Sequence, residues 1–277
     1  MNLPTFSIPP RAIAIDLDGT LLNSQTLISG RNRRAVEACL EQGIPVIIAT
    51  QRAARTVRRI LGEELCDRCS LVLLGGALAI AAPPLSGYFR EIIVPALAKN
   101  IIEVILDTEP GVRIIAETGG YQFGTNKPLD TDKLWIVHAA TPDMQLPLDL
   151  ALADGSVKIA VDGQNHNLSC VITAISQQFG NSISVIPSNG NTFLNITNSE
   201  ASKPKALKRL LNSKQISVDD MVAIGDDIPD LDMLATCGIS IAMGNAVPEV
   251  KATTSYQTAS NDKDGVAIVL EKILTKP

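Results

Sequence analysis

The sequence predicts an α/β protein whose parallel sheet is formed by both ends of the chain, with an α+β domain inserted between them. In the N-terminal part, wholly apolar runs alternate with helical patterns, which is typical of parallel strands covered by helices on both faces. After Pro83-Pro84 the pattern changes to half-exposed strands and loops, and the buried style returns towards the C-terminus. We therefore expect a core domain from 1–83 and 191–277, with an inserted domain at 84–190.

The N-terminal part predicts three strands and two helices. The strands are expected at 11–15, 44–49 and 71–75. Ser29 is suited to begin a helix over 31–42, and Gly43 is suited to end it, because serine caps helix N-termini and glycine ends helices. An arginine-rich helix is expected at about 52–61.

The middle of the chain mixes strands with two helices. Apolar residues at helical spacing indicate helices over 97–105 and 168–179. Strands are expected at 88–94, 112–116, 156–161 and 183–187. The stretch from 118 to 155 is rich in loops, so the whole block is typical of an α+β insertion.

The C-terminal part returns to buried strands and helices. Strands are expected at 193–197, 221–225 and 239–243, and helices at 204–211, 229–235 and 264–274. Pro204 would lie in the first turn of its helix, where its missing N–H needs no partner.

Composition and net charge limit the classes of protein to which this chain could belong. Hydrophobic residues make up 45% of the 277 and charged residues 19%, as in globular proteins. The net charge of -5 disfavours general binding to nucleic acid, whose phosphates select basic surfaces. No basic start with an apolar run opens the given sequence, so we expect no secretory signal. Glycines and prolines break its longest apolar stretch at 71–85, so we expect no membrane span. The oligomeric state stays open.

Five cysteines are scattered along the chain. They are Cys39, Cys66, Cys69, Cys170 and Cys237. Cys66 and Cys69 form a CxxC pair without a second pair, which is weak evidence for zinc. Reduced cysteines in a cytoplasmic protein are the simpler interpretation. The two histidines, His138 and His166, are isolated and receive no role.

Three acidic or hydroxyl residues directly follow predicted strands. These residues are Asp16, Thr50 and Asp226, and they should meet because ligands of an open parallel sheet bind beyond the carboxyl ends of its strands. Asp18 shares a face with Asp16, since side chains alternate along an extended segment. Two neighbouring carboxylates stay ionised beside a cation, and Mg²⁺ prefers oxygen ligands, so the pattern predicts a magnesium site.

An EF-hand calcium loop is an alternative explanation of the acidic start. That loop needs an acidic or amide residue, a glycine and a glutamate where this chain has Thr20, Leu21 and Leu27, so we reject it. A turn cap at these aspartates would leave the second acidic segment unexplained.

Four ordered segments resemble the haloacid dehalogenase (HAD) superfamily of phosphatases and phosphomutases. The segments are DLDGT at 16–20, Thr50 within IIATQR, Lys203 within SKPKALKRLL, and GDDIPDLDML at 225–234. The tail AMGNAVPEVK, followed by NDKDGVA, resembles the Cof-type branch, also called subfamily IIB. The resemblance implies a Rossmann-like parallel-sheet core with an inserted α+β cap domain of the C2B type.

The resemblance implies catalytic roles for three residues. Asp16 would attack phosphorus to give an aspartyl-phosphate, and Asp18 would protonate the leaving alcohol and then activate water. Lys203 would neutralise charge on Asp16 and on the phosphoryl group. Thr50, Gln51 and Lys203 would bind the substrate phosphate, with Asn245 near it.

The resemblance also implies a Mg²⁺ site. Asp226 would complete it with the Asp16 carboxylate and the Asp18 backbone carbonyl. Asp230 would support the site by orienting the lysine or a metal-bound water, and Asp227 would lie beside it.

Three positions depart from the usual family pattern. Gln51 and Pro204 replace glycines, and Pro229 replaces an asparagine that Asp227 would partly substitute. Glutamine would be strained if its position required positive φ. We expect weaker metal binding or slower turnover, with activity retained.

Simpler interpretations stand beside these roles. Thr50 could cap a strand, Lys203 could be solvated, and Asp226 and Asp230 could cap a helix. Asn245 could be a turn residue. Arg52 either contacts substrate or belongs to an exposed face with Arg55, Arg58 and Arg59.

The expected function is a Mg²⁺-dependent phosphatase acting on a small soluble phosphate monoester, with a sugar phosphate as one candidate. A phosphomutase with the same motifs is the alternative enzyme. A binding or regulatory protein that has lost efficient catalysis is the alternative outside enzymes, motivated by the three departures.

Overall fold

The protein is described as a computed structural model over residues 2–130, 134–135 and 138–275. The chain divides into two units: a core unit from 1–52, 57–89 and 203–277, and an inserted unit from 53–56 and 90–202. None of the helices in these described ranges has the length and apolar composition that a bilayer crossing requires.

The strands of both units are numbered in chain order. They are β1 (Ala12–Ile15), β2 (Val46–Ala49), β3 (Ser70–Leu73), β4 (Leu78–Ile80), β5 (Tyr88–Arg90), β6 (Arg113–Glu117), β7 (Phe123–Thr125), β8 (Gln145–Pro147), β9 (Lys158–Asp162), β10 (Ile183–Ser188), β11 (Phe193–Asn198), β12 (Met221–Gly225), β13 (Ile239–Ala242) and β14 (Tyr256–Gln257).

The core sheet has the order β14-β13-β12-β1-β2-β3-β4-β5. Strand β1 lies between β12 and β2, and it pairs with both in parallel through Ile13, which lies opposite Val222 and Val46. The central strands are fully buried, as unbroken apolar runs in a parallel sheet require. The parallel core predicted from these runs is therefore confirmed. Strand β4 runs antiparallel to β3 and extends the sheet at one side.

The helices of the core agree with the sequence within a few residues. They are Gly30–Glu41, Ala54–Leu61, Glu63–Arg68, Lys203–Asn212, Leu231–Thr236, Pro248–Thr253 and Gly265–Leu274. Ser29 caps the first of them as expected, because its hydroxyl accepts a hydrogen bond from the Asn32 backbone N–H at 3.0 Å. Glu63–Arg68 and Pro248–Thr253 were not predicted.

The inserted unit is a six-stranded sheet with the order β10-β11-β9-β6-β7-β8. Its helices are Pro95–Thr108, Leu148–Leu152 and Ser169–Phe179. One face of the sheet forms an apolar cluster with these helices, which includes Ile114, Val161 and Leu194. The stretch expected to be rich in loops contains the short strands β7 and β8, and the strand expected at 88–94 ends at Arg90.

The boundaries of the inserted unit differ from the expected 84 and 190. Strands β4 and β5 stay on the core sheet, so the insertion begins at Arg90. Strand β11 pairs with β10 and β9, so the core resumes at Lys203. The apolar run at 193–197 resembles a buried core strand, but its partners belong to the insertion.

Arg55 is buried within the inserted unit, which corrects the expectation that it lies on an exposed face. Its guanidinium donates two hydrogen bonds of 2.6 Å to the two carboxylate oxygens of Glu117 and one of 2.9 Å to the His138 carbonyl. Arg55 is 7% exposed and Glu117 is 4% exposed. The two charges therefore compensate each other away from water.

We expect Arg55→Met to lower the free energy of unfolding by about 3–5 kcal/mol, because it leaves the Glu117 carboxylate buried without its counter-ion. Urea unfolding followed by circular dichroism measures the loss. Arg31→Met is the matched control, since Arg31 forms a bidentate pair with Glu271 on the surface and should change stability by about 1 kcal/mol or less. Equal losses in the two variants would contradict the prediction.

Candidate active site

The structure brings the ends of three neighbouring strands to one edge of the core sheet. Asp16 follows β1, Thr50 follows β2 and Asp226 follows β12. Because β1 pairs in parallel with both neighbours, the three carboxyl ends lie side by side. This is the arrangement that the order of strands and polar residues predicts.

Lys203 lies between two carboxylates at this edge. Its Nζ donates hydrogen bonds of 2.7 Å to Asp16 Oδ1 and 2.6 Å to Asp230 Oδ1. Lys203 is 3% exposed, which excludes the interpretation of a solvated lysine at a helix start. The other Asp230 oxygen accepts the backbone N–H groups of Asp226 and Asp227 at 3.0 and 3.3 Å, so this carboxylate holds the lysine and the acidic loop together.

Asp226 is held by the segment that follows β1. Its Oδ1 accepts a hydrogen bond of 2.7 Å from the Thr20 hydroxyl. The Asn245 amide donates to the Gly19 carbonyl at 2.8 Å and to Asp226 Oδ2 at 3.4 Å, while its own oxygen accepts from the Asn261 N–H at 2.9 Å. Both ends of the Asn245 amide are thus bonded to protein.

Gly19 is required where this segment passes Asp226. Its φ is +78°, and a Cβ at this position would lie 2.2 Å from Asp226 Oδ2. A side chain here would therefore be strained and would also displace the carboxylate.

We expect Gly19→Ala to destabilise the protein by about 1–3 kcal/mol more than Gly43→Ala, because only the first substitution adds a steric clash to backbone strain. Gly43 is a matched control, since its φ is +76° and a Cβ there would meet nothing within 4 Å. Thermal unfolding of both variants measures the difference. Indistinguishable unfolding temperatures would contradict the close approach of Gly19 to Asp226.

Asp18 has a different environment from Asp16. Its carboxylate accepts two hydrogen bonds from Arg52, of 2.7 and 2.6 Å, and remains 47% exposed. Neither interpretation of Arg52 from the sequence included this pair. The structure thus places a buried carboxylate beside a lysine and an exposed carboxylate beside an arginine, one residue apart in the chain.

The departures from the family pattern fit the backbone without strain. Gln51 is not among the residues with positive φ in the described ranges, and its side chain packs over Gly75. Pro204 is the second residue of the Lys203–Asn212 helix, as expected. Pro229 is the second residue of the 3₁₀ turn Ile228–Asp230, which Asp227 caps by accepting the Ile228 N–H at 2.8 Å. The Asp227 side chain therefore stabilises the start of this turn.

Charge in this cluster favours a divalent cation. Carboxylate oxygens of Asp16, Asp226 and Asp230 lie within 4.8 Å of one another. Three carboxylates and the single Lys203 ammonium leave two negative charges in excess. Burial raises the pKa of Asp16 well above its ordinary value; Lys203 opposes this rise, and the Asp230 and Asp226 carboxylates add to it. This set of carboxylate donors fits a hard divalent ion, because such ions prefer oxygen ligands.

The raised pKa of Asp226 predicts how stability depends on pH in metal-free protein. Burial raises this pKa from 3.8 to about 6, so the native state binds the proton more tightly than the unfolded state. The contribution of Asp226 is therefore present at low pH and is lost as the pH rises through about 6. In EDTA, the free energy of unfolding should fall between about pH 4 and about pH 7 in wild type. In Asp226→Asn this fall should be smaller, by on the order of 1 kcal/mol. Parallel melting-temperature profiles would contradict this.

The sequence did not reveal the hydrogen-bond partners of three residues near this site. Thr20 and Asn261 lie inside quoted motifs, but nothing in their spacing shows that they bond Asp226 and Asn245. Arg52 was noticed, but its partner Asp18 was not. The cysteines are free thiols, and burial raises the pKa of Cys69 to about 12.

The chain is similar in sequence to known proteins. A family model described as haloacid dehalogenase-like hydrolase matches residues 13–270. The stress response protein YhaX of Bacillus subtilis is 30% identical over 272 residues, which cover 94% of this chain and 92% of that protein. The 5-amino-6-(5-phospho-D-ribitylamino)uracil phosphatase YwtE of the same organism is 29% identical, with 96% and 98% covered.

Solved structures share the fold. A haloacid dehalogenase-like hydrolase from Bacteroides thetaiotaomicron superposes with a TM-score of 0.81 at 26% identity, and the match covers 96% of this chain and 100% of that one. The predicted fold class, a Rossmann-like core with an inserted cap domain, is therefore confirmed.

Proposed function

Because the chain belongs to the haloacid dehalogenase-like hydrolase family, in its Cof-type branch, and is a phosphatase, we propose that it hydrolyses a small soluble phosphate monoester through an aspartyl-phosphate with Mg²⁺. The observation that carries this proposal is the buried Asp16 carboxylate, 2.7 Å from Lys203 at the strand edge that Asp226 also occupies. A carboxylate held beside a fixed ammonium is suited to attack an anionic phosphoryl group.

Two carboxylates divide the chemistry in this proposal. The Asp16 oxygen attacks phosphorus while Asp18 gives its proton to the leaving alcohol oxygen. Asp18 then takes a proton from the water that attacks the aspartyl-phosphate, which releases inorganic phosphate and restores the Asp16 carboxylate. The exposed position of Asp18 supports this role, because an acid and base must reach substrate and water.

Other residues position the phosphoryl group. Lys203 offsets its charge and that of Asp16, while Thr50 and the backbone at Gln51 bind its oxygens. Asn245 acts by fixing Gly19 against Asp226. Asp16, Asp226 and the Asp18 backbone carbonyl would hold Mg²⁺, which would supply positive charge against the negative charge of the phosphoryl oxygens. A cytoplasmic location and a phosphorylated metabolite as substrate belong to the same proposal.

A panel of phosphorylated metabolites, assayed for phosphate release with Mg²⁺ and with EDTA, tests the proposal. The panel includes hexose phosphates and 5-amino-6-(5-phospho-D-ribitylamino)uracil, the compound in the name of the relative YwtE. We expect Mg²⁺-dependent release from at least one ester. Conversion of a hexose phosphate to its isomer with little free phosphate would support the phosphomutase instead. Thermal stabilisation by esters without any release would support a non-catalytic binding protein.

A further inference from the structure

The inserted unit contains a cavity of about 420 Å³. Its walls come from the turn between β6 and β7, from the helix Leu148–Leu152 and the residues after it, and from Arg90. The turn is held by Thr118, whose backbone N–H and hydroxyl both donate to the Gln122 carbonyl, at 3.1 and 2.9 Å. The Gly155 N–H donates to the carbonyl of the last helical residue at 3.1 Å. Hydrogen-bonded backbone thus shapes the cavity, whose volume is in the range that holds one small ligand.

Arg90 offers one unpaired donor group to a ligand in this cavity. Its Nη2 donates to the Gly155 carbonyl at 3.4 Å, which is a long hydrogen bond. Its Nε is enclosed by protein and lies out of reach of a ligand. Its Nη1 has no protein partner among the described residues and is not enclosed, so it is the nitrogen that a ligand would meet. Hydrogen bonds from a guanidinium to an anionic oxygen are strong, so this position favours a carboxylate.

Asp154 adds an unpaired negative charge to the same cavity. It lies just beyond the helix Leu148–Leu152, is exposed, and has no hydrogen-bond or ion-pair partner in the described part of the chain. It therefore forms no ion pair with Arg90, although both residues line the cavity. Two opposite charges that line one cavity without neutralising each other are suited to a ligand that carries both charges.

The cavity also has an apolar wall. Leu146 on β8 and Leu150 and Ala151 on the following helix form this wall. The Leu150 side chain is 59% exposed. An aliphatic group on the ligand would cover these carbons and remove apolar surface from water, which is favourable.

The charge balance of the cavity disfavours ligands with a single charge. Arg90 and Asp154 are the charged residues that line it among the described ones. An anion would pair with Arg90 but would be repelled by Asp154, and a phosphate ester would be repelled more strongly because it carries up to two negative charges. An organic cation would pair with Asp154 and be repelled by Arg90. A zwitterion can satisfy both side chains at once.

We propose that this cavity binds a free amino acid with an aliphatic side chain. The ligand carboxylate accepts from Arg90 Nη1, the ligand ammonium donates to the Asp154 carboxylate, and the aliphatic side chain lies on Leu146 and Leu150. This site goes beyond the proposed phosphatase, because its ligand carries no phosphoryl group and contacts no residue of the acidic cluster. It gives the chain a second binding function.

Isothermal titration calorimetry of the full chain with L-leucine and with 4-methylpentanoate tests the proposal. The two ligands share a carbon skeleton and a carboxylate, but only leucine carries an ammonium group. We expect saturable binding of leucine to wild type, at least about 10-fold tighter than that of 4-methylpentanoate. In Asp154→Asn this preference should be lost, because the ammonium no longer meets a carboxylate. Asp149→Asn is the matched control and should keep the preference, since Asp149 is an exposed residue of the neighbouring helix that does not line the cavity.

Arg90→Gln tests the carboxylate contact. It should weaken binding of leucine and of 4-methylpentanoate by about 10- to 100-fold, because both ligands lose a charged donor. Arg113→Gln is the matched control. Arg113 lies in the same unit and also has an enclosed Nε without a partner among the described residues, but it lines a different cavity of about 320 Å³. Its variant should bind leucine as wild type does, and melting temperatures show whether both variants are folded.

Three outcomes would overturn the proposal. They are no saturable binding of leucine up to its solubility limit, equal affinity of wild type for leucine and 4-methylpentanoate, and equal weakening by the two arginine variants. The first two are measured on wild type, so they do not depend on the folding of any variant. Neither ligand carries phosphate, so the result is independent of whether the chain releases phosphate from any ester.

Discussion

Asp16→Asn is expected to reduce phosphate release by at least about three orders of magnitude, because an amide cannot form the aspartyl-phosphate. The variant should fold, since asparagine has nearly the same shape and Lys203 keeps its 2.6 Å contact with Asp230. Burial disfavours the Asp16 carboxylate, as the direction of its pKa shows, so its removal should not lower the melting temperature of metal-free protein.

Asp232→Asn is the matched control for this experiment. It makes the same chemical change on an exposed residue of the Leu231–Thr236 helix, near Asp226 in sequence. Phosphate release and melting temperature are measured for both variants with saturating Mg²⁺. Full activity of Asp16→Asn would rule out this residue as the nucleophile, whereas loss in both variants would point to a general defect.

Lys203→Met is expected to abolish activity and to lower the free energy of unfolding by about 3–5 kcal/mol. The lysine is buried and contacts Asp16 and Asp230 at 2.7 and 2.6 Å, so its removal leaves both carboxylates without their shared counter-ion. Burial lowers the pKa of Lys203, but the two carboxylates raise it further, which shows that the ammonium is stabilised in place. Denaturant unfolding at neutral pH measures the loss.

Lys208→Met provides the comparison for Lys203→Met. Lys208 is exposed on the same helix, so the substitution has the same helix propensity and removes a solvated charge. It should change stability by less than about 0.5 kcal/mol and leave phosphate release intact. If the two lysine variants were equally stable, the buried pairs would contribute nothing and the proposed geometry would fail.

The meeting of Asp16, Thr50 and Asp226 could be predicted because topology determines it. Unbroken apolar runs indicate parallel strands, and the ends of adjacent parallel strands lie at one edge. Lys203 and Asp230 could be assigned only by resemblance, since no local pattern shows that a helix-start lysine turns inward.

Other features depend on partners that sequence patterns do not identify. Arg55 lies among other arginines and resembles an exposed residue, but its partner Glu117 is 62 positions away. The apolar run of β11 resembles a core strand, and only its antiparallel pairing with β10 assigns it to the insertion. Gln51 would be strained only if its backbone had a positive φ, and the sequence does not determine that angle.

The inserted unit is assembled from two separate pieces of chain, and this limits its use as a portable module. Ala53–Thr56 precedes the main segment by more than thirty residues in the sequence, yet supplies the guanidinium that neutralises Glu117. A fragment of 90–202 expressed alone would lack that arginine and carry an uncompensated carboxylate in its interior. Transplanting this insertion onto another scaffold, or exchanging it between relatives, therefore requires that the short arginine segment travel with it.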